Sequence, residues 1–477
     1  MRGEDPLGFG VVYSPRLGRV LDLDLLDVLE IEPQMFWRKT GDAAAIAIDR
    51  DLFATLRAMP QHKLVHSVSF PVGNSRPHDP AGLACLRDSI DALGAPYASE
   101  HLSFNEFDHG AGRQWTGFFL PPRQDRDGIM IAARRIDELR RAVGVPVAFE
   151  TGVNYLRPRA DELADGVFIR GVAEAADCGI LLDLHNLLAN ERNGRGAARE
   201  VIAAIPLERV WEIHLGGGMP YRGYWLDAHS GPIDEELYAL TRQTVELCPN
   251  LRAIIFEIMD QYVDDSARDA LQQDVRRLRT LWEGRRRRTQ VPVPSHRAAA
   301  GPPALTGARC RERTLGALAL GFTPAEPEPG LADDPAVALY ADLVASMREG
   351  VLHQALPFLV RLLMVSLGPR ATMDLIAAFH ANLAPEQFGS DEAGRFLAFV
   401  RRQAPDVPYL EEIAAFEAAL HAVNGTAETR RVRFTCDPFA LLSALRERRR
   451  PEGLPKADVE VDVDAAGIVV LMPADGV

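Results

Sequence analysis

The chain has 477 residues, of which 47% are apolar and 25% charged, and its 67 acidic residues outnumber 53 basic ones to leave a formal net charge of −14. That length is too great for one ordinary core and predicts two domains. The composition is that of a folded soluble protein, and the acidic balance excludes a general affinity for nucleic acid. The opening MRGEDPLGFG lacks the basic and apolar regions of a signal peptide, and no run of about 18 apolar residues suggests a membrane span. Five scattered cysteines without a CxxC suit a reducing, cytoplasmic setting and argue against a disulfide frame or a thiolate metal site.

Eight short apolar or β-branched runs recur through the first part of the chain. FGVVY (9–13), DVLEIE (27–32), KLVHSVSF (63–70) and PYASEHLSF (96–104) come first; VPVAFETG (145–152), GILLDLHN (179–186), RVWEIHLGG (209–217) and RAIIFEIMD (252–260) follow. Amphipathic stretches such as AARRIDELRRAV (132–143) and DEELYALTRQTVEL (234–247) lie between them. Strands alternating with helices imply parallel βαβ units, and eight units in this length predict an α/β fold of the (β/α)8, TIM-barrel type over residues 1–282. No GxGxxG follows an early strand, which weakens a dinucleotide-binding open sheet.

Residues 283–312 include RRRR and a run of Pro, Ala and Gly without apolar periodicity, and read as a linker. Beyond it, 313–477 reads as a mostly helical α+β domain. DPAVALYADLVASMREGVLHQALPFLVRLLMVSLG (334–368), TMDLIAAFHANL (372–383), EAGRFLAFVRRQ (392–403) and PYLEEIAAFEAALHAV (408–423) have helical periodicity. RRVRFTC (430–436), ADVEVDV (457–463) and IVVLM (468–472) predict β structure that ends in a hairpin. No internal repeat relates the two halves.

In a TIM barrel the active site lies where the strands run into the βα loops. The strand ends place His66; Glu100 and His101; Glu150; Asp183 and His185; Glu212 and His214; and Glu257 at one mouth, and the loop WLDAHSGPID adds Asp227 and His229. Each residue alone says little. Together, imidazoles and carboxylates are ligands for zinc, iron, manganese or nickel, and several carboxylates brought together without cations would repel and raise one another's pKa. The candidates outnumber the roughly three protein ligands of one catalytic zinc and fit two or three ions.

LVHSVSF, SEHLSF, AFETGVNYL, LLDLHN, EIHLGG, LDAHSGP and IIFEIMD occur in the order found in the multinuclear non-heme iron-dependent oxidative enzymes, formerly domain-of-unknown-function family 692, and the chain resembles that family over about residues 8–282. The resemblance implies a TIM-type barrel and iron ligation by His66, His101, Glu150, Asp183, His214, Asp227, His229 and Glu257. It also implies a ligand at His185, which stands where many members have Asn, and two or three irons in mixed Fe2+/Fe3+ states with dioxygen as co-substrate. Glu32 stands where the family commonly has His. Glu100 is expected to orient a ligand histidine and, with Asp183 and His185, makes up the expected catalytic set. The implied substrate is a ribosomally made precursor peptide with a leader, cysteine being the commonest target. VPYLEEIAAFEAAL (407–420) resembles a helix of the separate partner proteins that capture such precursors, which implies that oxidase and partner are fused here.

Two other readings compete: a zinc or manganese isomerase or hydrolase of the xylose isomerase or endonuclease IV type, and a metal-storage or peptide-binding scaffold without catalysis.

Overall fold

The computed structural model describes residues 6–40, 45–110, 112–263, 266–286, 290–293, 303–403, 405–423, 428–465 and 467–469. Eight strands close a parallel barrel: β1 (Gly8–Val12), β2 (Val28–Ile31), β3 (His62–Ser67), β4 (Ala98–His101), β5 (Val147–Glu150), β6 (Gly179–Asp183), β7 (Val210–Gly216) and β8 (Ala253–Glu257). Each pairs with its neighbours in sequence, and β8 closes on β1 with Gly8 opposite Ala253. All eight expected strands are therefore present, in a ring.

Helices α1 (Arg50–Ala58), α2 (Pro80–Leu93), α3 (Arg126–Val143), α4 (Asp165–Ala176), α5 (Leu184–Arg192), α6 (Ala198–Ala204) and α7 (Glu235–Val245) lie between the strands, and α8 (Arg268–Gly284) follows the last of them. Asp residues accept hydrogen bonds from first-turn amides at the starts of α1, α2, α3, α5 and α7, which satisfies donors that a helix cannot pair internally. Side chains alternate across a strand. Outward residues such as Phe9, Leu29, Val65, Phe149, Ile180 and Ile254 join the helix faces in one large apolar cluster. Inward residues form two storeys. Val28, Leu64, Tyr97, Ala148, Trp211, Ala253 and Ile255 make an apolar floor; two residues further along their strands, Glu30, His66, Ser99, Glu150 and Glu257 stand above it.

The sixth run ends sooner than expected. GILLDLHN is a strand only to Asp183, and α5 begins at the next residue because the Asp183 carboxylate caps that helix by accepting from Asn186 N at 2.8 Å. The fourth run stops at His101 and is followed by a hairpin, Phe104–His109 with Gly112–Leu120.

The structure divides into two compact units. The barrel unit runs to Asn105 and includes Phe119–Leu315 and Ala325–Leu339; the second contains Glu106–Phe118, Gly316–Pro324 and the chain from Tyr340 onward. Of the stretch expected to be a linker, 287–289 and 294–302 lie outside the described residues, and helix α9 (Leu305–Ala319) begins inside it. Arg311 is buried there, with its guanidinium 2.7 Å from both Glu328 and Glu162.

The second unit is mostly helical: α10 (Ala336–Ala355), α11 (Pro357–Leu367), α12 (Pro369–Asn382), α13 (Gly389–Gln403), α14 (Leu410–Val423) and α15 (Pro438–Arg446). The run 334–368 is two helices bent by 105° at Leu356, since a residue followed by proline disfavours helical backbone. No single described helix is long and apolar enough to cross a membrane. The expected terminal hairpin is Lys456–Asp464 with Gly467–Val469, joined by Arg430–Cys436 into a three-stranded antiparallel sheet; 470–472 lie outside the described residues. Phe379, Phe396, Phe416 and Phe434 centre this unit's own core.

Gly10 shows how tightly the barrel is drawn, because a Cβ there would overlap the Val28 carbonyl oxygen on the adjacent strand. Gly10→Ala is expected to destabilise the barrel by about 1–3 kcal/mol in chemical denaturation. Gly284→Ala, which meets open space, is expected to stay within about 0.5 kcal/mol of the parent.

Candidate metal centre

Because strand period and barrel closure fix which side chains point inward, the polar residues at the strand ends converge. Glu150 Oε2 lies 3.2 Å from His66 Nε2 and 3.1 Å from His101 Nε2. His214, fully buried, has Nδ1 3.3 Å from Glu257 Oε2 and Nε2 2.8 Å from Glu30 Oε2. Glu257 Oε2 is also 3.4 Å from His229 Nε2, which is 3.1 Å from Asp227 Oδ1. Asp227 Oδ1 in turn lies 3.2 Å from His185 Nδ1. Ligand atoms of His66, His101 and Glu150 lie within 4.8 Å of one another, as do those of Glu150, Asp183 and His214, and those of Glu30, Glu212 and His214. Glu150 and His214 each belong to two of these groups, so the sets form one continuous array.

The supporting contacts explain the local sequence. Asp183 N donates to Thr151 Oγ1 and Asn186 Nδ2 to Thr151 O, which locks the start of α5 against the end of β5. His66 Nδ1 is 2.8 Å from Ser99 Oγ, whose hydroxyl donates onward to Val65 O. Glu100 is buried on the other side of its strand; its carboxylate accepts from Phe70 N and His101 N and lies 3.4 Å from His101 Nδ1. Phe119 stacks on His101 with ring centroids 4.0 Å apart. His229 holds a left-handed backbone (φ 45°), a conformation that costs a non-glycine residue about 1–3 kcal/mol and clusters at functional sites.

Metal ions fit this array by two observations. Two ligand atoms each bound about 2.1 Å from one ion at tetrahedral or octahedral angles stand about 3.0–3.4 Å apart, which is the spacing found between these imidazole nitrogens and carboxylate oxygens. Moreover, Glu150 Oε2, Asp183 Oδ2, His214 Nδ1, Asp227 Oδ1 and His229 Nε2 are buried with no hydrogen-bond partner, although buried polar atoms are normally paired.

Electrostatics point the same way. Burial and the neighbouring Asp227 push Asp183 up to about 7. Burial and Glu30 push Glu212 to about 7, and burial and Glu257 do the same to Glu32. Burial alone would raise Glu150 too, but His101 and His66 outweigh it and hold the carboxyl at about 2. Burial opposes the charged form of His66, yet Glu150 and Glu30 lift it to about 10; Asp227 and Glu257 likewise lift His229 to about 9.

All the strand-end and loop residues singled out in the sequence meet in this array or brace it. Glu30, on the inward face of β2, carries no mark in the sequence beyond its place two residues before Glu32, which follows the strand. The sequence reading missed it, as it missed Ser99 and Trp225; Trp225 Nε1 donates to His185 Nε2 at 3.2 Å.

Metal uptake must displace the protons held by His66 and His229. Both values lie above the ordinary histidine value of 6.5. Their charge pairs therefore stabilise the metal-free fold fully below pH 6.5, and that contribution is lost as pH rises to about 10 and about 9. Zinc affinity of the metal-free protein is expected to rise about tenfold per pH unit per displaced proton between about pH 6 and about pH 8. Calorimetry in two buffers of different ionisation enthalpy should show proton release; a flat profile would contradict the arrangement.

Curated relatives include a UPF0276 protein of Chromobacterium violaceum, 29% identical over 181 residues that span 38% of this chain and 64% of the relative. Another, from Anaeromyxobacter sp. (strain Fw109-5), is 28% identical over 229 residues, or 48% of this chain and 80% of the relative. Thus the chain spans just under two thirds of the first relative's length. Among solved structures, D-psicose 3-epimerase of Clostridium cellulolyticum H10 is 12% identical with a TM-score of 0.39, over 58% of this chain and 99% of that one. Endonuclease IV of Thermus thermophilus is 16% identical with a TM-score of 0.35, over 58% of this chain and 98% of that one. Residues 10–282, more than half of the chain and the whole barrel but its first strand's edge, match the family described as RiPP precursor modification enzyme MbnB/TglH/ChrH, and the chain belongs to that family.

Proposed function

We propose that this protein is an iron- and dioxygen-dependent enzyme that oxidatively modifies a residue, most commonly cysteine, of a ribosomally made precursor peptide. The observation that carries the reading is the chain of imidazole nitrogens and carboxylate oxygens at the barrel mouth, spaced 3.1–3.4 Å apart, in which Glu150 Oε2, His214 Nδ1, Asp227 Oδ1 and His229 Nε2 are buried without a hydrogen-bond partner. His66, His101 and Glu150 would hold one ion, and Asp183, Asp227, His214, His229 and Glu257 the rest of a cluster of two or three. Mixed imidazole and carboxylate donors suit non-heme iron with positions left open. When bound, iron supplies one-electron chemistry with dioxygen and acidifies a substrate thiol or amide.

The protein's own groups fix the frame for that chemistry. Ser99 and Glu100 orient the rings of His66 and His101, a type of contact whose loss costs a metal site about 10–100-fold in affinity or activity. The apolar floor keeps water from reaching the site from below. On the open side, Met35, Met219 and Met259 stand exposed in the segments after β2, β7 and β8, and methionine side chains adapt to varied partners. The second unit would act as the fused precursor-binding partner, with an edge of its three-stranded sheet accepting the extended leader as an added strand. In this reading no separate partner protein and no membrane take part.

Protein expressed with iron and purified without oxygen should contain two or three irons per chain, with coupled ferric signals in Mössbauer spectra. Asp183→Ala is expected to lose roughly one ion per chain and the coupled signals with it, and the loaded parent should consume oxygen only with a precursor peptide. Stoichiometric zinc or manganese without tightly held iron would instead favour the isomerase and hydrolase reading.

A further inference from the structure

A histidine that binds an ion through one ring nitrogen must carry its proton on the other, and ligand histidines donate that proton to a carboxylate, a carbonyl or water. The outward nitrogens of three histidines in this site face acceptors. His66 Nδ1 faces Ser99 Oγ, His101 Nδ1 faces Glu100 and His214 Nε2 faces Glu30. The Ser99 hydroxyl stands 2.8 Å from His66 Nδ1 and 3.4 Å from Val65 O, so it can accept from His66 with its own proton turned to that carbonyl, which leaves His66 Nε2 to an ion.

His185 is built the other way. Its outward nitrogen, Nε2, faces the indole Nε1–H of Trp225 at 3.2 Å, and an indole nitrogen only donates. Trp225 is itself held: its backbone N donates to Asn193 Oδ1 at 2.8 Å, Asn193 Nδ2 donates to its carbonyl at 2.9 Å, and Arg192 lies over its ring. Gly218, on the paired strand of the same hairpin, clears the space, because a Cβ there would overlap both Trp225 Nε1 and His185 Nε2.

The geometry points to Trp225 as a positioning residue that fixes His185 with its proton on Nδ1, the nitrogen 3.2 Å from Asp227 Oδ1, so that His185 presents a proton there and is not a metal ligand. A neutral ring that accepts at Nε2 has its only proton on Nδ1 and no lone pair there. Binding an ion through Nδ1 would set Nε2–H against the indole N–H, two donors facing each other. This role replaces the ligand role that the family resemblance implied for position 185. The inference rests on the metal-centre reading but not on iron, dioxygen or a peptide.

The test uses the full chain loaded with zinc and labelled with 15N. Long-range 1H–15N spectra distinguish a protonated, an accepting and a metal-bound imidazole nitrogen, and His185→Asn assigns the signals. In the parent, His185 Nδ1 should be protonated and Nε2 free of metal, and His185→Ala should keep the parent's zinc count. Trp225→Phe frees Nε2 to carry the proton; Nδ1 should then become metal-bound and zinc affinity rise about tenfold, a gain that His185→Ala in the Trp225→Phe background removes. A metal-bound Nδ1 in the parent, or the loss of one zinc in His185→Ala, overturns the proposal. The parent spectrum decides it even if a variant fails to fold. A parent that binds no zinc or other divalent ion would overturn the metal-centre reading and this proposal together, whereas a zinc-binding parent with the expected tautomer and no iron activity would leave only the oxidase reading overturned.

Discussion

Everything in the barrel unit answers to one electrostatic problem: carboxylates from β2, β5, β6, β7, β8 and the loop after β7 are gathered in a space closed off beneath by apolar side chains. Burial alone would neutralise them, and it does lift Asp183, Glu212 and Glu32 toward neutrality. Glu150 stays ionised because two imidazoles flank it. The result without ions is a set of half-satisfied pairs, each side chain positioned for a charge that the amino acids do not themselves provide. Such an arrangement stores unfavourable energy in the metal-free state and returns it as affinity when cations enter.

The rings that face this space are not equivalent, and the difference lies in what stands behind them. Oxygens of Ser99, Glu100 and Glu30 stand behind His66, His101 and His214, and each can take the ring proton when an ion enters; behind His185 stands an indole N–H, which cannot. A catalogue of histidines and carboxylates at the mouth cannot make that distinction, because it depends on an indole 40 residues further along the chain. Chemical role here is set one contact away from the site.

The barrel was legible in the sequence because the strand period of two and the apolar run lengths both survive in single segments. GILLD and AIIFE show their outward residues plainly, and the polar residue that ends each run marks the mouth. The β6–α5 boundary was less legible, since LHNLL continues the apolar character of the strand and only the cap made by Asp183 says where extended backbone stops. Helix α15 went unread although Asp437 and Pro438 form a start signal for it, the Asp accepting from Phe439 N and the proline occupying a position with no amide to satisfy. Trp225 was illegible for another reason: nothing in YWLDAH says which ring its indole will meet.

The passage from β6 to α5 has no loop at all, for Asp183 ends the strand and caps the helix with one carboxylate oxygen while the other faces the array. Insertions and deletions, the usual means by which barrel enzymes change their substrates, have no room there. The hairpin that follows β4, by contrast, begins at Phe104, beyond the last inward residue of its strand, and can lengthen at its tip without moving a ligand. One part of the rim can thus change its length, while the part at β6 is fixed by the geometry of a single side chain.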